Sequence, residues 1–412
     1  MAHPSLRVHT AVFSSGERFP VLLAEDGLPM SLPTRYVIDR RRDNLQVNTI
    51  RPIVRTISYF YEWCATIAEP FDPEVRLRAG PLLDTTEVMG LQRFLRAGRR
   101  QNVLVFPQRP VAHSRNGTVI KSTSLNNQLD RIRDFLVWAA ECIRVPRVSS
   151  KEITQLRSRF DALHLTSTES ADKLGLTAQQ QTELLRVVNA GDGNEDNPFN
   201  RPVRARNQNI VQLLLETGIR RGELCKLRVE DVNLRDAGSA SISIMRNPDD
   251  RWDPRKNEPE VKTLRRRIPL RRVTKDLMFE YLLKHRGRCR HPYFFTSSRG
   301  AVPIDLTAVN RIFSRIREVS RAFADIELTP HILRHTFEEN LARQTEALGW
   351  TEKRINDVTN YLSGWTDQSK QAVVYQRRAN EEFAMTAMSK LYELNDRMEN
   401  TARQQAKDDI PL

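Results

Sequence analysis

The chain has 412 residues, a length that calls for two or three domains rather than one. Hydrophobic residues make up 39% and mean hydropathy is −0.53, enough apolar material for real cores. No stretch approaches the roughly 18–20 apolar residues of a membrane span. Lys and Arg outnumber Asp and Glu by 65 to 51, a net charge of +14, which favours a polyanionic partner because bound cations release the polyanion's counterions.

The start, MAHPSLRVHTAVFSSGERFP, has no apolar core behind a basic segment, so no leader and a cytoplasmic, nucleoid-associated location are expected. Residues 7–13 and 19–23 alternate and read as strands. Residues 1–45 as a whole form an N-terminal extension to which no role is assigned. Residues 48–67 carry Ile50, Ile53, Ile57, Phe60 and Trp63 at helical spacing, with Pro70 and Pro73 ending the run. Further helices are predicted over 85–97, 125–143 and 151–163. Residues 46–165 therefore read as a small helical domain.

Residues 166–180 are polar and suit a linker. Beyond them, 208–216 reads as an apolar helix. Residues 239–245 and 261–270 read as strands, and further helices are predicted over 305–323, 331–347, 352–362, 369–379 and 381–400. The fold class is mainly α, with a small antiparallel sheet in the second domain.

The four cysteines, Cys64, Cys142, Cys225 and Cys289, include no CxxC and point to a reducing compartment without structural disulfides. His285, Cys289 and His291 supply three metal-ligand types but no spaced fourth, so no metal is expected. A Walker A run and a GxGxxG loop are both missing from the sequence, so no nucleotide cofactor is expected. The scattered acidic residues form no two-metal pattern.

Two segments concentrate chemistry. In TGIRRGELCKLRVEDV, Gly218 breaks a helix and Arg220 opens the next, with Glu223 three residues on to hold it. In HILRHTF, after Thr329 and Pro330, His331 and Arg334 share one helical face while Leu333 and Phe337 face inward. Taken singly, an arginine at a helix start or an HxxR pair is an ordinary surface feature.

Together, TGIRRGEL and HILRHTF about a hundred residues later closely resemble the paired signature of tyrosine recombinases, the phage-integrase family. Leu362-Ser363-Gly364-Trp365 stands where the family has an LGH or LGW segment, and Tyr375 follows. The resemblance covers roughly 181–380, which it implies is the catalytic domain. Residues 46–165 resemble the family's DNA core-binding domain in pattern only.

The resemblance implies a site-specific DNA recombinase or integrase of a mobile element, acting through a 3′-phosphotyrosyl intermediate. It implies Arg220 and Arg334 as a phosphate clamp, His331 as an aid to proton transfer and Trp365 as an indole donor to phosphate. Lys262, in a K-T segment before RRRIPL, becomes the general acid, with Lys256 as the alternative. Tyr375 becomes the nucleophile, ten positions after Trp365 and so one more than the common spacing; Tyr361 and Tyr392 are its rivals.

The implied partner is double-stranded DNA, gripped by both domains, with four subunits on two sites. Residues 381–412 would form a C-terminal helix and tail, docked either on their own domain or on a neighbouring subunit. A type IB topoisomerase-like enzyme that relaxes DNA and a catalytically silent DNA-binding relative are the alternative readings.

Overall fold

The computed structural model describes residues 6–97, 120–143, 148–166, 175–191, 193–235, 238–297 and 302–365, and residues 373–408 as a helix. Within that helix the side chains described begin at Ala384. The chain divides into two compact units, Met1–Ala171 and Asp172–Leu412.

The first unit opens with a hairpin of β1 (Arg7–Val12) and β2 (Arg18–Leu23), antiparallel, with Arg7 opposite Leu23 and Val12 opposite Arg18. Both strands lie where alternation predicts them. The helix α1 (Ser31–Arg42) follows, burying Leu32, Tyr36 and Val37. Then come α2 (Val47–Thr66), α3 (Pro73–Ala79), α4 (Thr85–Ala97), α5 (Ser122–Ile143) and α6 (Ser150–Asp161).

Two of these helices depart from the sequence reading. Pro73 starts α3 instead of ending a helix: a first-turn proline needs no N–H partner. The Asp72 side chain caps it by accepting from the N–H groups of Glu74 (2.7 Å) and Val75 (3.2 Å). Helix α1 lies inside what reads as an extension. Tyr36 meets Phe135 and Trp138 edge-on, and the Trp138 indole N–H donates to Asp39 at 2.9 Å. Leu22, Leu32 and Tyr36 thus share one core with Ile50, Ile57, Phe60, Leu129 and Phe135, so residues 6–45 are part of this unit's packing.

The first helix of the second unit is α7 (Ala178–Val188), whose first three residues fall in the segment read as a linker. Thr177 and Gln180 form a capping box there, which starts a helix despite the polar composition. Next come α8 (Arg201–Thr217), closed by Gly218 at φ +61, and the short α9 (Arg221–Lys226). Strands β3 (Val232–Asn233), β4 (Ser241–Ile244) and β5 (Arg266–Pro269) form an antiparallel sheet in that order. The β4–β5 register runs from Ser241 opposite Pro269 to Ile244 opposite Arg266. After them stand α10 (Arg272–Glu280), α11 (Leu306–Val319), α12 (Pro330–Ala347), α13 (Glu352–Ser363) and α14 (Val373–Asp408).

The last helix corrects a prediction. Sequence periodicity splits it into 369–379 and 381–400, whereas 36 residues run unbroken from Val373. They contain neither Gly nor Pro, so nothing interrupts the hydrogen-bond ladder. In this chain α14 docks on its own unit. Ala384, Ala387, Met388 and Leu391 enter the core with Leu214, Leu333 and Phe337. Buried Arg271 pairs with Glu399 (2.6 Å), Asp396 (3.0 Å) and Glu216 (3.4 Å). The Tyr392 hydroxyl donates to the Pro269 carbonyl.

Candidate active site

Gly218 must be glycine for two reasons. Its φ is positive, and a Cβ there would lie 2.3 Å from the Phe337 ring. The turn it makes delivers Arg220 to the position before α9, where the Arg220 backbone N–H donates to Glu223 Oε2 at 2.8 Å. On α12, Leu333 and Phe337 are buried, which turns Arg334 toward the same turn. Its guanidinium donates to the Gly218 carbonyl at 2.8 Å and pairs with Glu338 at 3.1 Å.

The two arginines meet at the end of α13. Arg220 Nη1 donates to the Ser363 carbonyl at 2.9 Å, and Arg334 Nη2 to the same oxygen at 3.2 Å. That oxygen is oriented by Gly364, which closes α13 at φ +64. Trp365 follows, half exposed, its ring 5.5 Å from the Arg334 guanidinium. Segments predicted separately, TGIRRGEL, HILRHTF and LSGW, are therefore assembled around one carbonyl.

Electrostatics at this point favour an anion. Burial, and after it the Arg220 charge, push the Arg334 guanidinium down to about 10. Arg220, a third exposed, is also pushed down by burial, with Glu223 opposing. Both remain protonated at neutral pH, and an anion bound between them would relieve their mutual repulsion.

A buried pair braces the site. Glu223 is 1% exposed and accepts from Arg266 at 2.7 and 3.1 Å and from the Thr263 hydroxyl. Burial alone would push this carboxyl up, but the Arg266 charge and hydrogen bonds outweigh it and hold the carboxyl below its ordinary value. Arg266 Nε also donates to the Leu362 carbonyl at 2.7 Å, and the Leu264 N–H to the Gly364 carbonyl at 3.2 Å. One ion pair thus fastens α9, the strand β5 and the end of α13 together. Sequence reasoning used RRRIPL as a marker for Lys262 and gave Arg266 no role. Period-2 alternation was the available signal: with Ile268 inside, Arg266 is inside and Arg267 outside.

The remaining predicted residues are placed as follows. His331 is exposed on α12, its Nε2 3.1 Å from His335 Nε2. Lys262 is exposed beside Thr263, its ammonium 3.6 Å from Glu260. Lys256 is exposed earlier in the same loop. Tyr375 falls in the first turn of α14, and its side chain lies outside the described residues. Of its rivals, the Tyr361 hydroxyl bonds the N–H and carbonyl of Arg267 (both 3.3 Å), and Tyr392 is engaged at Pro269. Among the described residues His285, Cys289 and His291 do not gather as metal ligands. The one such group there, Asp130, Asp161 and His164 in the first unit, is already bridged by Arg133, 2.8 Å from Asp130 and 2.5 Å from Asp161.

Residues 176–380 match the model of the phage integrase family. The chain belongs to the tyrosine recombinase family. Tyrosine recombinase XerC of Bacillus pumilus is 26% identical over 256 residues, covering 56% of this chain and 75% of that protein. A tyrosine recombinase of Agathobacter rectalis is 30% identical over 161 residues, covering 37% of this chain and 47% of that protein. Among solved structures, the Tn1549 transposon integrase in complex with transposon right end DNA aligns with a TM-score of 0.51 at 17% identity. That alignment covers 85% of this chain and 99% of that one, and shows the shared fold. This tyrosine recombinase is a site-specific DNA-recombining enzyme, and among its described residues no helix is long and apolar enough to cross a membrane.

Proposed function

We propose that the Arg220–Arg334 pair clamps the phosphate at which this recombinase cuts DNA, and that Tyr375 is the nucleophile. The observation that carries this is the convergence of both guanidinium groups on the Ser363 carbonyl, which fixes two forked donors side by side without a metal. Trp365 adds an indole N–H, a group that donates but cannot shuttle protons. His331 lies three residues from Arg334 on the same helix, within reach of the same phosphate.

In this scheme the Tyr375 phenolic oxygen attacks phosphorus and loses its proton with help from His331. The bond from phosphorus to the 5′ oxygen breaks, and Lys262 protonates the leaving oxygen. The product is a 3′-phosphotyrosine and a free 5′ hydroxyl. The 5′ hydroxyl of a second strand reverses these steps, so the bond energy is kept and no nucleotide is consumed. Four subunits on two DNA sites would carry out the exchange, on chromosomal or mobile-element DNA in the cytoplasm. Residues 46–165, with the hairpin and α1 packed on them, would form the second DNA-binding unit.

The test is covalent trapping on nicked DNA bearing the element's own site. Wild type is expected to accumulate a protein–DNA adduct and Tyr375→Phe none. An adduct formed by Tyr375→Phe would move the nucleophile to another tyrosine. A 5′-thio leaving group needs no protonation, so it should restore cleavage to Lys262→Ala; rescue of Lys256→Ala instead would transfer the general acid there. Relaxation of plasmid lacking any site would favour the topoisomerase reading.

A further inference from the structure

Between β4 and β5 the chain makes a long excursion, and its charges are sorted. Six side chains from 246 to 267 are exposed and charged, and all are cations: Arg246, Arg251, Lys256, Lys262, Arg265 and Arg267. Of the five acids in that stretch, Asp250, Asp253 and Glu258 are buried and Asp249 and Glu260 are half-buried. Asp250, Asp253 and Glu258 are turned inward onto buried cations. Lys226 pairs with Glu258 and lies 3.7 Å from both Asp250 and Asp253. Arg228 holds Asp250 at 2.6 Å, and Arg255 holds Asp253 at 2.7 Å. Tyr293 donates to Asp250, while Arg255 reaches the carbonyls of Cys225 (3.0 Å) and Ile304 (2.6 Å).

Desolvating this many charges is costly and rarely the most stabilising use of a core. Its effect here is geometric: it pins an irregular loop against the second unit. At the apex the backbone is tied on both sides of one residue. The Trp252 N–H donates to the Asp250 carboxylate at 3.0 Å, and the Asp253 N–H to the Asp250 carbonyl at 3.0 Å. The Trp252 side chain is nevertheless 60% exposed, with the Arg251 guanidinium 4.6 Å from its ring centre. A large indole held out in water on a pinned base and paired with an arginine is built to meet a partner.

The loop's return limb lies along α9. Glu258 meets Lys226 at one end, and the Glu260 carbonyl packs so close to Gly222 that a Cβ there would sit 2.3 Å from it. Six residues of α helix span about 9 Å. Trp252 is therefore fixed at the far end of α9 from Arg220, beside the site and outside it.

We propose that Arg251 and Trp252 form a preorganised DNA-contacting finger, with Arg251 on a backbone phosphate and Trp252 against the sugar and base edge of the adjoining nucleotide, in the duplex flanking the cleaved phosphate. This rests on the DNA-cleaving reading above. Charge complementarity selects the partner: three of the five acids that would repel phosphate are locked inward, the other two are half-buried, and the cations left outside match a polyanion.

The experiment uses the full chain and a mixed-sequence duplex, followed by anisotropy across salt concentrations and by tryptophan emission. Arg251→Ala should lower the slope of log affinity against log salt by about one. Trp252→Ala should weaken binding roughly tenfold, the scale of losing one large aromatic anchor at an interface. Thermal midpoints should stay at the wild-type value, since both side chains are exposed. Adding DNA should quench wild-type emission more than that of Trp252→Phe. Wild-type affinity, slope and quenching in all three variants would overturn the finger while leaving the DNA reading intact. Failure of wild type to bind any duplex would overturn both.

Discussion

Arg220 and Arg334, 114 positions apart in sequence, donate to one and the same oxygen, the carbonyl of Ser363, at 2.9 and 3.2 Å. The oxygen stands between two cations before any substrate arrives. It keeps the forks aligned and, being neutral, does not cancel their charge. Exchange of either arginine for lysine preserves the charge and removes the fork. Adduct formation on nicked DNA is therefore expected to fall at least a hundredfold in Arg220→Lys and Arg334→Lys, the scale of losing one transition-state donor. Activity within a few fold of wild type would mean that point charge alone suffices.

The Glu223–Arg266 pair predicts a split between stability and activity. Truncating one partner leaves a buried charge, so Arg266→Met should lose about 3–5 kcal/mol in urea unfolding. Combining Arg266→Met with Glu223→Met should recover much of that loss, because the buried charges are then both gone. Cleavage by the double variant should stay low, since neither the Leu362 carbonyl nor the Thr263 hydroxyl is held as before. Full recovery of cleavage would show that the pair does not position the site.

Gly364 permits a third test. Its φ is +64, and an added Cβ would come within 2.6 Å of Arg266 Nη1 and 2.7 Å of Thr263 Cβ. Gly364→Ala must therefore shift the turn that carries Ser363. Stability should drop by about 1–3 kcal/mol, the range for a strained backbone site, with a larger proportional loss in adduct formation. Gly287, at φ +68 with nothing within 4 Å of an added Cβ, is the control: Gly287→Asn should cleave as wild type does.

Acid should loosen the pinned loop. Burial works against the charged form of Asp250, but Tyr293 and Arg228 outweigh it and hold the carboxyl down at about 2, against an ordinary 3.8. A depressed value means stability that is present above pH 4 and lost as pH falls from about 4 to 2. The difference corresponds to about 2 kcal/mol. Asp250→Asn should thus be less stable than wild type at pH 7, with the gap narrowing below pH 4. Parallel melting curves for the two proteins at every pH would refute the assignment.

Much of this was legible in sequence where a side-chain pattern states a local requirement. Alternation placed β1 and β2 within a residue, and the TGIRRGEL and HILRHTF spacing singled out two arginines that the fold brings together. What stayed hidden is instructive. Arg266 was given no role, since arginines are seldom buried, and only its buried partner Glu223 explains the exception. The Ser363 carbonyl could not be found at all, since a backbone oxygen leaves no mark on residue identity. Helix α3 was missed because Pro73 read as a breaker, though a proline in the first turn is compatible with a helix, and α1 was missed because it lies in the stretch read only as an extension. The division of α14 failed because a crowd of charged residues near 380 was taken for a break, although neither Gly nor Pro stands there.

That unbroken helix has a mechanical consequence. Position 375 lies nine residues before Ala384, the first described residue of this helix seated in the core, so about 14 Å of rod joins the proposed nucleophile to the packed segment. A stiff lever of that length converts a tilt at its anchored end into a displacement at the tip. If Tyr375 is the nucleophile, as proposed, whatever grips or releases residues 384–399 would also set where that tyrosine stands.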